Sequence, residues 1–298
     1  MTQLDEKMRE VLQDAYDLHI HPSPDIVPRK ATDNELAQAA IRYGMKGFAI
    51  KSHYFDTSGR AALIRAMFPE CRAVGGIVLN NSVGGLNPVA VEMLGRCQGP
   101  RIVWFPTIDA QNMWDSVVGR GTAVPFGAAS ADPTKVVGIR VFKKDSLEDG
   151  LSDPALEILR LIAEKDMILA TGHLSNEETL ALLKEAKRCG VRRMIASHCE
   201  FPATYAEVDV QKEYIKCGAL IEHNTLNTIN GVFPVERLVE HIRAVGPDNV
   251  LLTSDLGQTT NPFPLDGFAQ YLDMTMKAGI SAEDIRRMIV TNPARLVA

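Results

Sequence analysis

One spacing constrains this chain more than any other feature in it. Short runs rich in Val, Ile and Ala recur at residues 15–20, 47–52, 73–79, 101–107, 167–172, 193–198, 218–222 and 250–255. Apolar runs of this length, bounded by turn residues, read as buried strands. Between them lie segments with helical periodicity, at 33–43, 59–67, 154–165, 176–189, 207–216, 234–244 and 266–278. Strands alternating with helices of this length imply βαβ units and a parallel sheet. The residues that close the strands are His21, His53, Asn80, Thr107, His173, His198, His223 and Asp255. Six of the seven intervals between them run 25 to 32 residues, one strand–helix unit each. The remaining interval, 66 residues, holds one unit plus an insertion at about 108–150. Eight units of similar length predict an α/β fold of the (β/α)8 TIM-barrel type, with an insertion after strand 4. A doubly wound sheet would more often place a Gly-rich phosphate loop after its first strand. Here HPSPD follows that strand, and neither GxGxxG nor GxxxxGKS/T occurs.

No linker-like stretch divides the chain, so residues 1–298 are expected to form one domain. Residues 1–13 read as a helix that packs on the barrel bottom or on a partner subunit. The insertion carries a strand-like run, VVGIRVF at 136–142, and should overhang the barrel mouth as a lid. The net charge is −5 with no basic run, which argues against a nucleic-acid partner. No window approaches the ~18 unbroken apolar residues of a membrane helix, and the N-terminus lacks the apolar core of a secretory signal. The five cysteines form no CxxC pair and read as reduced thiols of a cytoplasmic protein. A small molecule is therefore the expected partner, with a second copy of the chain left open.

The histidines carry the functional signal. Of seven, five close a strand and His19 stands two residues before such an end; His241 lies in a helical segment and reads as a packing or solvated residue. His19 and His21 sit in DLHIH, and residues i and i+2 of a strand share a face. Both imidazoles would enter the mouth about 7 Å apart along the backbone. His173 in TGHLS, His198 in SHCE and Asp255 in TSDLG close strands 5, 6 and 8. Active sites of such barrels lie at these strand ends. Neutral imidazoles with one carboxylate suit a divalent transition ion, zinc first, with manganese, iron or nickel as alternatives.

In this arrangement the sequence resembles the amidohydrolase superfamily of metal-dependent barrel enzymes, in its smaller, barrel-only form. HxH on strand 1, His on strands 5 and 6, Asp on strand 8 and a closing MIVTNPARLV segment carry the resemblance over residues 17–297. It implies that His19, His21, His173 and Asp255 hold a metal. It implies that Asp255 takes a proton from the activated water and passes it to the leaving group. His198 would bind a second metal or polarise the substrate carbonyl. Binuclear members usually carry a carboxylated lysine on strand 4, and WFPTIDA offers none. Lys51 and His53 stand instead at the end of strand 2, in AIKSHY. A histidine there resembles the ligand of polymerase-and-histidinol-phosphatase barrels, so His53 joins the candidate ligands and the count is one or two ions. Lys51 fits a carbamate bridge, an anion-binding group or a partner of a ligand carboxylate. Anion binding is preferred, because nothing in AIKSHY itself points to a depressed lysine pKa.

Of the adjacent Glu222 and His223, at most one points into the mouth, as a partner orienting a metal histidine or as a substrate contact. Glu200 reads as a loop carboxylate, Trp104 as core, and SVGGLNP at 82–88 as a turn. Arg140 in the insertion, and Arg29 or Lys30 in the Pro-rich loop after strand 1, are candidate cations for a substrate carboxylate. The resulting expectation is a metal-dependent hydrolase that cleaves a C–N bond, an amide or cyclic amide, through an activated water. A metal-dependent decarboxylase and a lactone or ester hydrolase are the alternatives.

Overall fold

The computed structural model describes residues 5–118, 138–144 and 147–298. Eight strands follow one another around a single sheet in chain order, every neighbouring pair parallel. They are β1 (Tyr16–Ile20), β2 (Gly47–Ile50), β3 (Arg72–Val78), β4 (Arg101–Trp104), β5 (Ile168–Ala170), β6 (Met194–Ala196), β7 (Ala219–Asn224) and β8 (Val250–Thr253). The sheet closes where β1 meets the end of β8. The His21 N–H donates to the Leu256 carbonyl and the Asp255 N–H to that of His19, both at 2.8 Å. Eight strands that close in chain order make a TIM barrel.

Along the chain the helices are α1 (Glu6–Leu12), α2 (Asp33–Arg42), α3 (Ser58–Met67), α4 (Pro88–Gly95), α5 (Gln111–Val118), α6 (Asp153–Glu164), α7 (Asn176–Arg188), α8 (Val208–Cys217), α9 (Thr225–Ile229), α10 (Val235–Val245), α11 (Pro264–Lys277), α12 (Ala282–Arg286) and α13 (Asn292–Val297). Two of them start with a capping box: Thr32 with Glu35, and Ser175 with Glu178. Their apolar stripes pack on the outer faces of the strands in two large clusters. A third cluster includes Ile102 and Trp104 of β4 with Ile168 and Ala170 of β5, pairs that alternation puts on one face. Gly76 makes room there, because a Cβ at that position would stand 2.6 Å from the Trp104 ring. Trp104 is thus a core residue.

Two departures from the sequence reading have local causes. Helix α4 was absent from it. Its signal is Asn87, whose side chain accepts from the Ala90 N–H, with Pro88 opening the helix. The strand expected at 136–142 is absent from its described part: residues 138–142 make only isolated bridges, Ile139 to Ala110 and Phe142 to Leu151. Residues 119–137 and 145–146 of the expected lid at 108–150 lie outside the described residues, 136 and 137 of the expected strand among them. The expected N-terminal helix begins at Glu6 and packs Met8, Val11 and Leu12 into the chain's own core, and Arg286 donates to the Glu10, Val11 and Gln13 carbonyls. The closing segment is tied under the barrel by Asn292, which donates to the Pro247 and Val250 carbonyls. Among the described residues no helix is long and apolar enough to cross a membrane.

Candidate metal centre

The C-terminal ends of the strands bring His19, His21, His53, His173, His198, Asp255 and Lys51 together. All but His19 line one cavity of about 150 Å3, which Phe201, Leu226 and Gln258 also line. Donor atoms of His19, His198 and Asp255 lie within 4.8 Å of one another. Asp255 Oδ1 stands 3.0 Å from His21 Nε2 and 3.2 Å from His19 Nε2, and Oδ2 stands 4.0 Å from His198 Nε2. The rings of His173 and His198 are 4.9 Å apart, and those of His21 and His53 stack at 4.6 Å. The Nδ1 atoms of His21, His173 and His198 are buried without a hydrogen-bond partner.

Two of these residues sit at positive φ, His198 at 36° and Asp255 at 53°. Such backbone costs about 1–3 kcal/mol for a non-glycine residue and persists only where its surroundings over-determine it. Here the His198 N–H donates to Glu222 Oε2 at 3.1 Å, and the Asp255 N–H is held by His19.

Glu222 underlies the arrangement. It accepts from His19 Nδ1 at 2.9 Å and from the Thr253 hydroxyl at 3.0 Å, besides the His198 N–H. A proton on Nδ1 leaves the Nε2 of neutral His19 directed at Asp255 Oδ1, the tautomer that an Nε2 ligand needs. Asp17 supports the same strand from the other side, accepting from the His19 and Ser254 N–H groups. Its burial pushes its carboxyl up to about 7.

Electrostatically the site is divided. Burial holds the imidazoles of His21, His53 and His198 well below their ordinary value and brings His173 down to about 3, with Lys51 adding to the effect. His19 is the exception: burial and Lys51 pull it down, but Asp255 and Glu222 outweigh them and lift it to about 9. Burial would raise Asp255, yet His19 and His21 hold it well below the carboxylate range. Unprotonated imidazoles around an ionised carboxylate are the donor set of a divalent transition ion. The residues therefore fit one.

The family of unknown function DUF6282 matches residues 14–222. The chain belongs to that family. No curated protein matches its sequence. Among solved structures it is similar to an amidohydrolase from Pseudomonas aeruginosa, at 13% identity and a TM-score of 0.60, covering 98% of this chain and 97% of that one. It is also similar to a TatD homologue, YjjV, from Escherichia coli K12 (15%, TM-score 0.58, 96% and 98%). A third is the organophosphorus hydrolase of Deinococcus radiodurans (13%, TM-score 0.57, 97% and 94%). The barrel fold is common to all of them.

Several residues of this DUF6282 chain stand elsewhere than the sequence suggests. Arg140 is not brought to the cavity: its guanidinium faces Asp115 at 3.6 Å on the half-exposed flank of the insertion. Glu222 points inward beneath His19 and is not among the residues that line either of the two cavities. His223 points outward, and Glu200 is a buried acceptor rather than a loop carboxylate, taking hydrogen bonds from His223 Nδ1, the Asn224 N–H and Asn227 Nδ2. His53 Nδ1 lies 2.9 Å from the Thr107 hydroxyl, which also accepts from Asn80. Lys51 is fully buried, 2.8 Å from His19 Nε2 and 5.5 Å from the centre of the Trp104 ring. Burial lowers it to about 8, which overturns the argument that its amine is undepressed. The depth of the site in the barrel, invisible in a six-residue segment, is the cause.

Proposed function

We propose that this chain is a metal-dependent hydrolase that cleaves a C–N bond, an amide or cyclic amide, in a small anionic molecule. The observation that carries this reading is the convergence of His19, His198 and Asp255 donor atoms within 4.8 Å, beside a cavity that His21, His53 and His173 also line. A divalent ion held there, zinc first and manganese, iron or nickel after it, supplies a Lewis acid for a carbonyl oxygen and lowers the pKa of water toward ~7. His19, His21, His173 and Asp255 are its holders, with His198 and His53 as the further imidazoles for one or two ions. The similar structures named an amidohydrolase and an organophosphorus hydrolase agree with hydrolysis as the reaction type.

The chain's own groups divide the remaining work. Asp255 is ionised and stands at hydrogen-bond distance from two imidazoles, so it accepts the proton of the attacking water and returns it to the leaving nitrogen. His198, kept neutral by its burial, faces the substrate carbonyl. Lys51 adds positive charge under the substrate, and Phe201 and Leu226 give the cavity an apolar wall.

The test is a substrate panel of amides, cyclic amides, lactones and carboxylic acids presented to protein of measured zinc content. Release of ammonia or an amine supports the proposal. Acid release from lactones alone would move the scissile bond to C–O. Carbon dioxide release would replace hydrolase by decarboxylase, and turnover by metal-free protein would sink the metal reading altogether.

A further inference from the structure

The metal cavity has a neighbour of about 570 Å3, and His53 and Gln258 line both. That volume suits a small organic ligand. Val27, Pro28, Ile108 and Tyr54 give it apolar walls, and Arg29 is the charged residue in its lining.

Arg29 is placed with care. Its side chain is 7% exposed, and the Asp25 carboxylate behind it is 0% exposed. Asp25 Oδ2 accepts from Arg29 Nε at 2.7 Å and from Nη2 at 2.6 Å, and Oδ1 accepts from the Ser52 hydroxyl. Nη1 has no protein partner among the described residues and is not a fully buried atom, so one edge of the guanidinium is fixed on Asp25 and Nη1 is left for a ligand. A guanidinium fork matches a carboxylate, and a charge-assisted hydrogen bond is stronger than a neutral one. The backbone is fixed as well. Arg29 bridges antiparallel to Gln258, and the Lys30 N–H donates to the Gly257 carbonyl at 2.7 Å. Gly257 is itself packed on the end of β1: its φ is +146°, and a Cβ there would stand 1.9 Å from the His21 carbonyl oxygen. The loop holding Arg29 is thus clamped to the loop that follows Asp255.

We propose that this larger cavity is the specificity site, and that it takes substrates built as an apolar body bearing a carboxylate, which Arg29 binds at the end remote from the scissile bond. The proposal rests on the hydrolase reading and assigns the far end of its substrate. Both cations that line the two cavities, Arg29 and Lys51, favour an anion over its neutral isostere.

Benzoate and benzamide, equal in shape and different in charge, are the probes. Their dissociation constants are measured by calorimetry on the full-length protein, with its metal content quantified in the same sample. Benzoate should bind about tenfold tighter, the worth of one charge-assisted hydrogen-bonded contact. Arg29→Gln should erase that preference while the circular dichroism spectrum stays unchanged. Equal binding of the two probes overturns the proposal. So does a preference that survives in Arg29→Gln, because it places the carboxylate on Lys51 or on the ion. A measurement on the unmutated protein covers a variant that does not fold. Benzoate, and not benzamide, should slow modification of Arg29 by phenylglyoxal, read by peptide mass spectrometry; modification indifferent to benzoate overturns the proposal. Neither readout needs turnover. A chain that hydrolyses nothing yet prefers benzoate through Arg29 refutes the hydrolase reading and leaves a carboxylate-binding site.

Discussion

Strand β7 separates two histidine clusters that look alike in composition. On its inner side Glu222 supports His19 and His198 at the cavity. On its outer side the next residue, His223, donates from Nδ1 to Glu200, stacks on Phe233 and meets His241 at 5.8 Å between ring centres. His241 Nδ1 pairs in turn with Gln211 Nε2 at 2.8 Å. Each cluster has a glutamate and at least two buried imidazoles. The inner one turns His198, with His21, His53 and His173, to a shared cavity and adds Asp255. The outer one is filled by Phe233 and Tyr205, and neither of the two site cavities includes it. Convergence on a cavity, not the number of histidines, distinguishes a centre from a packed polar core.

The largest expected difference between the two is in chemistry. Asp255→Asn keeps the shape of the side chain and removes the proton acceptor. Turnover of the amide found by the substrate panel should fall by ~10²–10⁴-fold, the usual worth of a general acid–base group. His198→Ala should lower metal content in elemental analysis. His223→Gln and His241→Gln should leave both quantities at the wild-type level. Metal loss from either outer variant would erase the distinction.

Glu222 offers a graded test. Glu222→Gln retains an acceptor for His19 Nδ1 but not the charge, and partners of metal ligands are worth about 10–100-fold in affinity. The same residue sets a pH dependence. The His19 pKa is raised to about 9, so its proton stabilises the metal-free fold fully below the unfolded value near ~6.5, and that contribution is lost as pH rises through about 9. A cation at Nε2 must displace that proton. Affinity in metal titrations should therefore climb about tenfold per pH unit between ~7 and ~9 and then level off. Lys51, losing its charge near 8, acts in the same direction. In Glu222→Gln the plateau should begin at lower pH, since one of the two carboxylates that raise His19 is gone. A flat profile in the wild type would mean that His19 is not a ligand.

How much of this the sequence alone discloses follows from the kind of signal involved. Strand ends recur at a fixed interval, so the barrel and the level of His21, His173, His198 and Asp255 within it could be read off spacing. Alternation along β7 says that Glu222 and His223 face opposite ways, but not which way. The direction depends on the register of β7 against β6 and β8, which no local segment encodes. Glu200 is less legible still. Its burial follows from the turn that starts at the positive φ of His198, and a turn residue with a carboxylate ordinarily looks solvated. The Arg29 contact with Asp25 spans four residues of a Pro-rich loop, where neither periodicity applies.

The outer cluster should show itself in stability instead. Glu200→Gln leaves His223 Nδ1 without its anionic acceptor and crowds an amide against Asn227. Unfolding by urea should register a loss of about 1–3 kcal/mol, as for hydrogen bonds to a buried charge, with metal content unchanged. An undiminished midpoint would show that the outer cluster contributes little, and that its histidines are spectators of apolar packing around Phe233.

The smallest effect is expected at Arg140, and it tests how far the site extends. By chain order the insertion follows β4 and should reach over the mouth, which made Arg140 a candidate for a substrate carboxylate. In the structure its side chain is 36% exposed and Asp115 opposite is 59% exposed, at 3.6 Å. Exposed pairs of this kind contribute about 0–1 kcal/mol, because solvent screens the attraction and two long side chains must be ordered to make it. Arg29, by contrast, is buried and backed by a buried carboxylate. Arg140→Ala should therefore shift the urea midpoint by less than about 1 kcal/mol and leave KM for a carboxylate-bearing substrate unchanged, while Arg29→Gln raises that KM. If Arg140→Ala raised KM as much as Arg29→Gln does, the insertion would have to fold over the mouth during turnover, and the boundary drawn between the cavity and its flank would fall.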